Sequence, residues 1–154
     1  MARISSLTYS DGEGEPGPLS LQEFADSMSG PQLKSKFGMM SLIIPNLSVA
    51  NKIVIAGGWY GLLALMVARV TGTMMRSKTI ISMDRDERAN RAANWLLDRD
   101  FLDRVGAKEV FAQALLIDVC DAAVHDIVDS PKNTLAINPS AEHFSDFDFE
   151  RYVH

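Results

Sequence analysis

Two groups of residues in this chain have the types and spacing to do chemistry. Gly57, Gly58 and Gly61 close a short apolar run, Lys52 to Ala56. Asp84 closes a second run roughly 20 positions further on, the distance at which a strand-end acid meets a ribose in nucleotide-binding βαβ units. A glycine turn feeding a helix lets a ligand approach the backbone, because glycine has no Cβ, and it aims free N–H groups and the positive helix end at that ligand. The dinucleotide fingerprint G-x-G-x-x-G is not met, since Ala56 occupies its first position. A purely architectural reading stands beside this one: the glycines allow close helix-to-strand packing, and Asp84, three residues before Glu87, helps cap the next helix.

The second group is Asn138-Pro139 followed by the adjacent acid and imidazole Glu142-His143, all after a further apolar run. Open α/β sheets keep their sites at the carboxyl ends of strands. There His143 would take a proton from an acceptor, while Glu142 would orient it or bind an amine. A solvated turn accounts for the same pair. His125 and His154 have no partner at metal-ligand spacing, and no Ser or Cys sits in a nucleophile elbow, so no metal site or covalent catalysis is expected.

The elements that must position these residues follow from apolar periodicity. SDGEGEPGP over residues 10–18 is acidic and rich in Gly and Pro, and reads as a mobile arm, residues 1–18. A helical extension over 19–50 comes next. Its first helix starts on the Ser20/Glu23 capping box and stops at Gly30-Pro31, and its second covers Leu33 to Ile44. From residue 51 strands and helices alternate: a strand at Ile53 to Ile55, a helix to about Val70 ending near Gly72, and a strand at Thr79 to Met83. A helix from Asp86 to about Asp98, a turn at Phe101 to Gly106 and a strand at Val110 to Leu115 follow. A helix or turn over Asp118 to Asp129 and a strand at Thr134 to Asn138 complete the series. This alternation predicts an α/β, Rossmann-like parallel sheet of about four strands over residues 51–154.

Composition sets the outer bounds. The 154 residues are 47% hydrophobic and 23% charged, enough for one core with an extension. A single cysteine, Cys120, excludes an intramolecular disulfide and a Cys-pair zinc site, which fits a reducing, cytoplasmic setting. The net charge of −5 gives no nucleic-acid footprint, although Arg85, Arg88 and Arg91 lie close together. The uncharged stretch Ile53 to Ala68 is shorter than the roughly 20 residues a bilayer needs, and glycines interrupt it.

The stretch VIAGGWYG, the acid in SMDRD and the later INPSAEH together resemble class I S-adenosylmethionine-dependent methyltransferases. The resemblance is strongest to a phage and bacterial group with Gly-Gly-Trp-Tyr-Gly in the first loop and Asn-x-Ser-x-Glu-His after the fourth strand. It runs from Lys52 to about Phe147. The likeness implies S-adenosylmethionine as cofactor, held by Gly57, Gly58, Trp59, Tyr60, Gly61 and Asp84, with Asp118 near the adenine edge. It implies Asn138, Glu142 and His143 on the methyl-transfer face. The chain departs from the general pattern at Ile55, where an acid is usual, and at Trp59, where a glycine is usual. Aromatic bulk there either walls the cofactor pocket or packs inward. Asn138-Pro139 is also similar to the Asn-Pro-Pro-aromatic turn of amino methyltransferases, with Ser140 and Ala141 replacing its last two residues. A full fold of this class has about seven strands, so the expectation is a reduced or truncated domain. Its fourth strand would be an edge covered by a second copy, with Phe144, Phe147 and Phe149 at the contact. A binding or assembly protein that keeps the fold without catalysis is the alternative.

Overall fold

The β-branched runs of this sequence form the centre of a parallel sheet because they are buried on both faces. Four strands, β1 (Lys52–Ala56), β2 (Lys78–Asp84), β3 (Val110–Leu116) and β4 (Thr134–Ile137), pair in the order β3-β2-β1-β4. The computed structural model describes residues 30–74, 77–118 and 133–139. In β1 every residue from Ile53 to Ala56 is buried, as expected of a central strand with both faces covered. The register sets Ile55 opposite Ser82 on one side and Ile137 on the other, so the carboxyl ends of all four strands lie at one end of the sheet.

Among the described residues, helical segments α1 (Gly30–Ile43), a 3-10 turn (Ile44–Asn46), α2 (Leu62–Thr73), α3 (Glu87–Leu96) and α4 (Arg99–Arg104) accompany the strands. Steps β1 to β2 and β2 to β3 run in the same direction across the sheet, and right-handed crossovers then place α2, α3 and α4 on one face. The main core matches this. Ile53, Ile55, Ile80, Val110 and Ile137 from the sheet meet Leu63 and Val67 of α2, Ala93 of α3 and Leu102 of α4. Met40 and Ile43 of α1 join the same cluster. β4 lies on the other side of β1 from β2 and β3, so the winding reverses between β1 and β4. Such a reversal is the point at which open α/β sheets bind ligands, outside the carboxyl ends of the strands.

Several boundaries differ from the sequence reading. Gly30 and Pro31, where a stop was expected, are helical in α1. Gly72 lies inside the last turn of α2 rather than beyond it, because a Cβ there would stand 2.5 Å from Gly106 O and 2.7 Å from Ala107 Cα. The expected turn after Phe101 is the helix α4, started by Asp98, whose carboxylate accepts from Asp100 N and Phe101 N. The outer edge of β3 is closed from within: the Asn94 amide donates to Ala114 O and accepts from Ala114 N, both at 2.8 Å, and Arg99 Nη1 donates to Val110 O at 2.7 Å. No described helix is long and apolar enough to cross a membrane. The arm, the helix from Ser20, the segment over Asp118 to Asp129 beyond Asp118 itself, and the tail with Phe144, Phe147 and Phe149 lie outside the described residues.

Candidate functional site

The glycine turn after β1 is held by its own backbone. Gly57 N and Gly58 N both donate to Met83 O of β2 at 2.9 Å, Gly61 N donates to Gly58 O at 3.0 Å, and Trp59 N donates to Asp84 Oδ2 at 2.9 Å. The amides of Gly57, Gly58, Trp59 and Gly61, expected from sequence to be free for a ligand, are therefore bonded inside the protein. Gly57 and Gly61 have positive φ, 74° and 81°, which glycine adopts at little cost.

The missing Cβ atoms also face inward. A Cβ on Gly58 would lie 1.7 Å from Ser82 Oγ and 3.1 Å from Ser82 Cβ, and one on Gly61 would lie 2.8 Å from Ala93 Cβ. Close approach at these two positions is between the loop and its own neighbours, which corrects the expectation that the bare faces of Gly58 and Gly61 admit a ligand. Gly58→Ala should therefore cost about 1–3 kcal/mol through overpacking against the buried Ser82. Adding Ser82→Ala should recover most of that loss, since only the 3.1 Å contact remains. Urea unfolding of the two single variants and the double variant measures this; additive effects would show that the two positions are not packed as described.

Asp84 sits at the tip of β2 and ties the loop to the start of α3. Its Oδ2 accepts from Trp59 N at 2.9 Å, and its Oδ1 accepts from Asp86 N at 3.0 Å. The helix cap expected of Asp84 belongs to Asp86 instead, whose Oδ1 accepts from Arg88 N at 2.8 Å and Ala89 N at 3.0 Å. The two loop aromatics part company. Tyr60 is buried against Ala89, Ala92 and Leu96 of α3, whereas Trp59 is 46% exposed with its ring 4.8 Å from that of Tyr60. Trp59 also has φ 49°, a left-handed backbone that costs a bulky side chain about 1–3 kcal/mol.

The remaining candidates flank this centre. Asp118 is exposed, two residues beyond β3, and the neighbouring Ile117 N donates to Asp84 O at 3.0 Å. Asn138 follows β4 directly and is half-buried on the other side of β1. The sheet thus brings Gly57 to Gly61 and Asp84 into direct contact, with Asp118 on the β3 side and Asn138 on the β4 side of the same end. Glu142 and His143 lie outside the described residues. Sequence reading missed Asn90, which is buried in α3; its Oδ1 accepts from Asn94 Nδ2 at 3.2 Å, while its own Nδ2 has no hydrogen-bond partner. A buried donor of that kind costs about 1–3 kcal/mol unless a further acceptor meets it. Only its burial marks it, and the apolar spacing of α3 around Ala89 and Ala93 is the one signal that places it inward.

A further cavity is lined by other residues. It measures about 510 Å³ between α1 and α2, lined by Phe37, Met40, Leu65, Met66 and Val70. It contains none of the residues above, and among the described residues Arg69 is the one charged residue that lines it, where a ligand site has several convergent polar groups. Among the described residues no three His, Cys, Asp or Glu side chains converge on a point that could hold a metal. Comparison with family models, with characterised proteins and with solved structures returns no match.

Proposed function

We propose that this chain binds S-adenosylmethionine at the carboxyl end of β1 and β2 and transfers its methyl group to an acceptor. The observation that carries this reading is the Trp59 N to Asp84 Oδ2 bond, which joins the glycine turn to the strand-end acid beside the winding reversal. Each carboxylate oxygen of Asp84 accepts one backbone N–H, and each has a second lone-pair site. Two such sites on one half-buried carboxylate fit the two hydroxyls of a ribose. The internal bonding of the loop argues against a dinucleotide, whose pyrophosphate needs several unbonded N–H groups at the turn. A sulfonium nucleoside has no phosphate to cradle.

In this reading Asp84 holds the ribose, the Gly57 to Gly61 turn shapes the floor beneath the sulfonium arm, and Asp118 borders the site from the β3 side. The bound cofactor supplies an electrophilic methyl group. Asn138 at the end of β4 orients the acceptor, and His143 takes up its proton while Glu142 orients the imidazole or binds an acceptor amine. A second reading, a binding or assembly protein that keeps the fold without catalysis, draws on the inward packing of Gly58 and Gly61 against Ser82 and Ala93. Calorimetric titration with S-adenosylmethionine and S-adenosylhomocysteine separates the two. Saturable heat with both ligands is the expected result. Absence of heat at millimolar ligand removes the methyltransferase reading and leaves the second.

A further inference from the structure

The glycine loop presents one large side chain to solvent, and it does so in an unfavourable backbone conformation. Trp59 has φ 49° and is 46% exposed, although the next residue, Tyr60, shows that the same loop buries an aromatic ring well at 6% exposure. Left-handed backbone at a bulky residue persists where the surroundings over-determine it, and it concentrates at ligand sites. The surroundings here are specific: Trp59 N is held by Asp84 Oδ2, and the indole leans on the Tyr60 ring at 4.8 Å with 55° between the planes. The indole is therefore supported from below by a buried ring and open above. Its backbone is fixed four residues past Ile55, which pairs with Ile137, and Asn138 comes next in β4. Trp59 thus follows β1 and leans toward the β2 side, at the same end of the sheet as Asn138.

We infer that Trp59 is the stacking platform for a nucleobase, the acceptor class for the reaction proposed above, and this inference rests on that reading. A flat indole face pairs with the π-face of any base. The net charge of −5 favours recognition by the ring over recognition by a phosphate backbone.

The test uses the full chain. With Trp95→Phe, Trp59 is the only tryptophan left of the two. Its emission is titrated with the four common nucleosides and with a short mixed-sequence single-stranded DNA, each at low and at physiological salt. Saturable quenching by nucleosides is expected. Nucleosides that quench as well as the oligonucleotide at both salt levels identify a free nucleoside as the source. Tighter quenching by the oligonucleotide that collapses at higher salt identifies a strand. Calorimetry then compares Trp59→Gly and Trp59→Phe with the natural residue. Trp59→Gly should weaken base binding by about 5- to 150-fold, the range of single-base stacking, with an unchanged or raised Tm because glycine accepts φ 49°. Trp59→Phe should retain most of the affinity. A Trp59→Gly protein with lowered Tm and undiminished base binding would overturn the inference, as would absence of quenching by every base. Quenching without S-adenosylmethionine binding keeps the platform and removes the methyl transfer. The reverse keeps the cofactor site and removes the platform.

Discussion

Replacing Gly61 with alanine should cost about 2–5 kcal/mol, the sum of a left-handed backbone at a non-glycine residue and a steric overlap. Gly61 has φ 81° at the amino end of α2, and its Cβ would lie 2.8 Å from Ala93 Cβ and 2.9 Å from Ala93 Cα. The obstacle is helix backbone, not the tip of a flexible side chain. Ala93 is buried in the middle of α3 and belongs to the main core, so relief requires moving α3 off the sheet. Domains of this size are stable by about 5–15 kcal/mol, so the loss removes a large part of the total. Urea unfolding followed by circular dichroism measures it. Gly38→Ala is the control: a Cβ there meets nothing within 4 Å, and the helix gains about 0.5–1 kcal/mol from the better helix former. Equal tolerance of both substitutions would show that α2 and α3 do not approach through Gly61.

Asp84→Ala should weaken S-adenosylmethionine binding by about 1.5–3 kcal/mol, the usual worth of hydrogen bonds to a charged acceptor. The same substitution removes the acceptor from Trp59 N and from Asp86 N, so the loop and the entry to α3 lose a common anchor. Stability should fall with it, by about 1–2 kcal/mol, because the Trp59 amide is exposed enough for water to replace the lost partner. The two effects are separable. Calorimetry at a temperature where the variant is fully folded reports the binding loss alone, and urea unfolding reports the anchor. Unchanged affinity in a folded Asp84→Ala protein would make Asp84 a structural staple and nothing more.

Sequence reading and structure agree where the signal is local. The strands read at Ile53 to Ile55 and Thr79 to Met83 are β-branched runs bounded by glycine or acid, and β1 and β2 extend each by one residue at either end. The amphipathic run after Asp86 gives α3, with Ala89, Ala93 and Leu96 inward as their spacing requires. α4 escaped notice because RDFLDR has one buried residue, Leu102, and no periodicity over six positions. Gly30-Pro31, read as a helix stop, is helical in α1, a distinction the residue pair alone does not carry.

What the sequence by itself determined is the class of the fold and the residues gathered at one end of it. Alternating runs dictate a parallel sheet, and the ends of those runs are where Gly57 to Gly61, Asp84 and Asn138 stand. What only the tertiary structure decided is which way each of these residues faces. Nothing within residues 57–61 distinguishes a glycine that admits a ligand from one that admits Ser82 or Ala93, since the neighbour comes from β2 or α3 and is supplied by packing. The same holds for the aromatics: adjacent Trp59 and Tyr60 have similar local preferences, and the hollow on α3 lined by Ala89 and Ala92 takes one ring and leaves the other outside. Strand order is the third such decision. β4 lies on the far side of β1, while Asn94 and Arg99 bond the outer edge of β3, an arrangement set by contacts between distant segments.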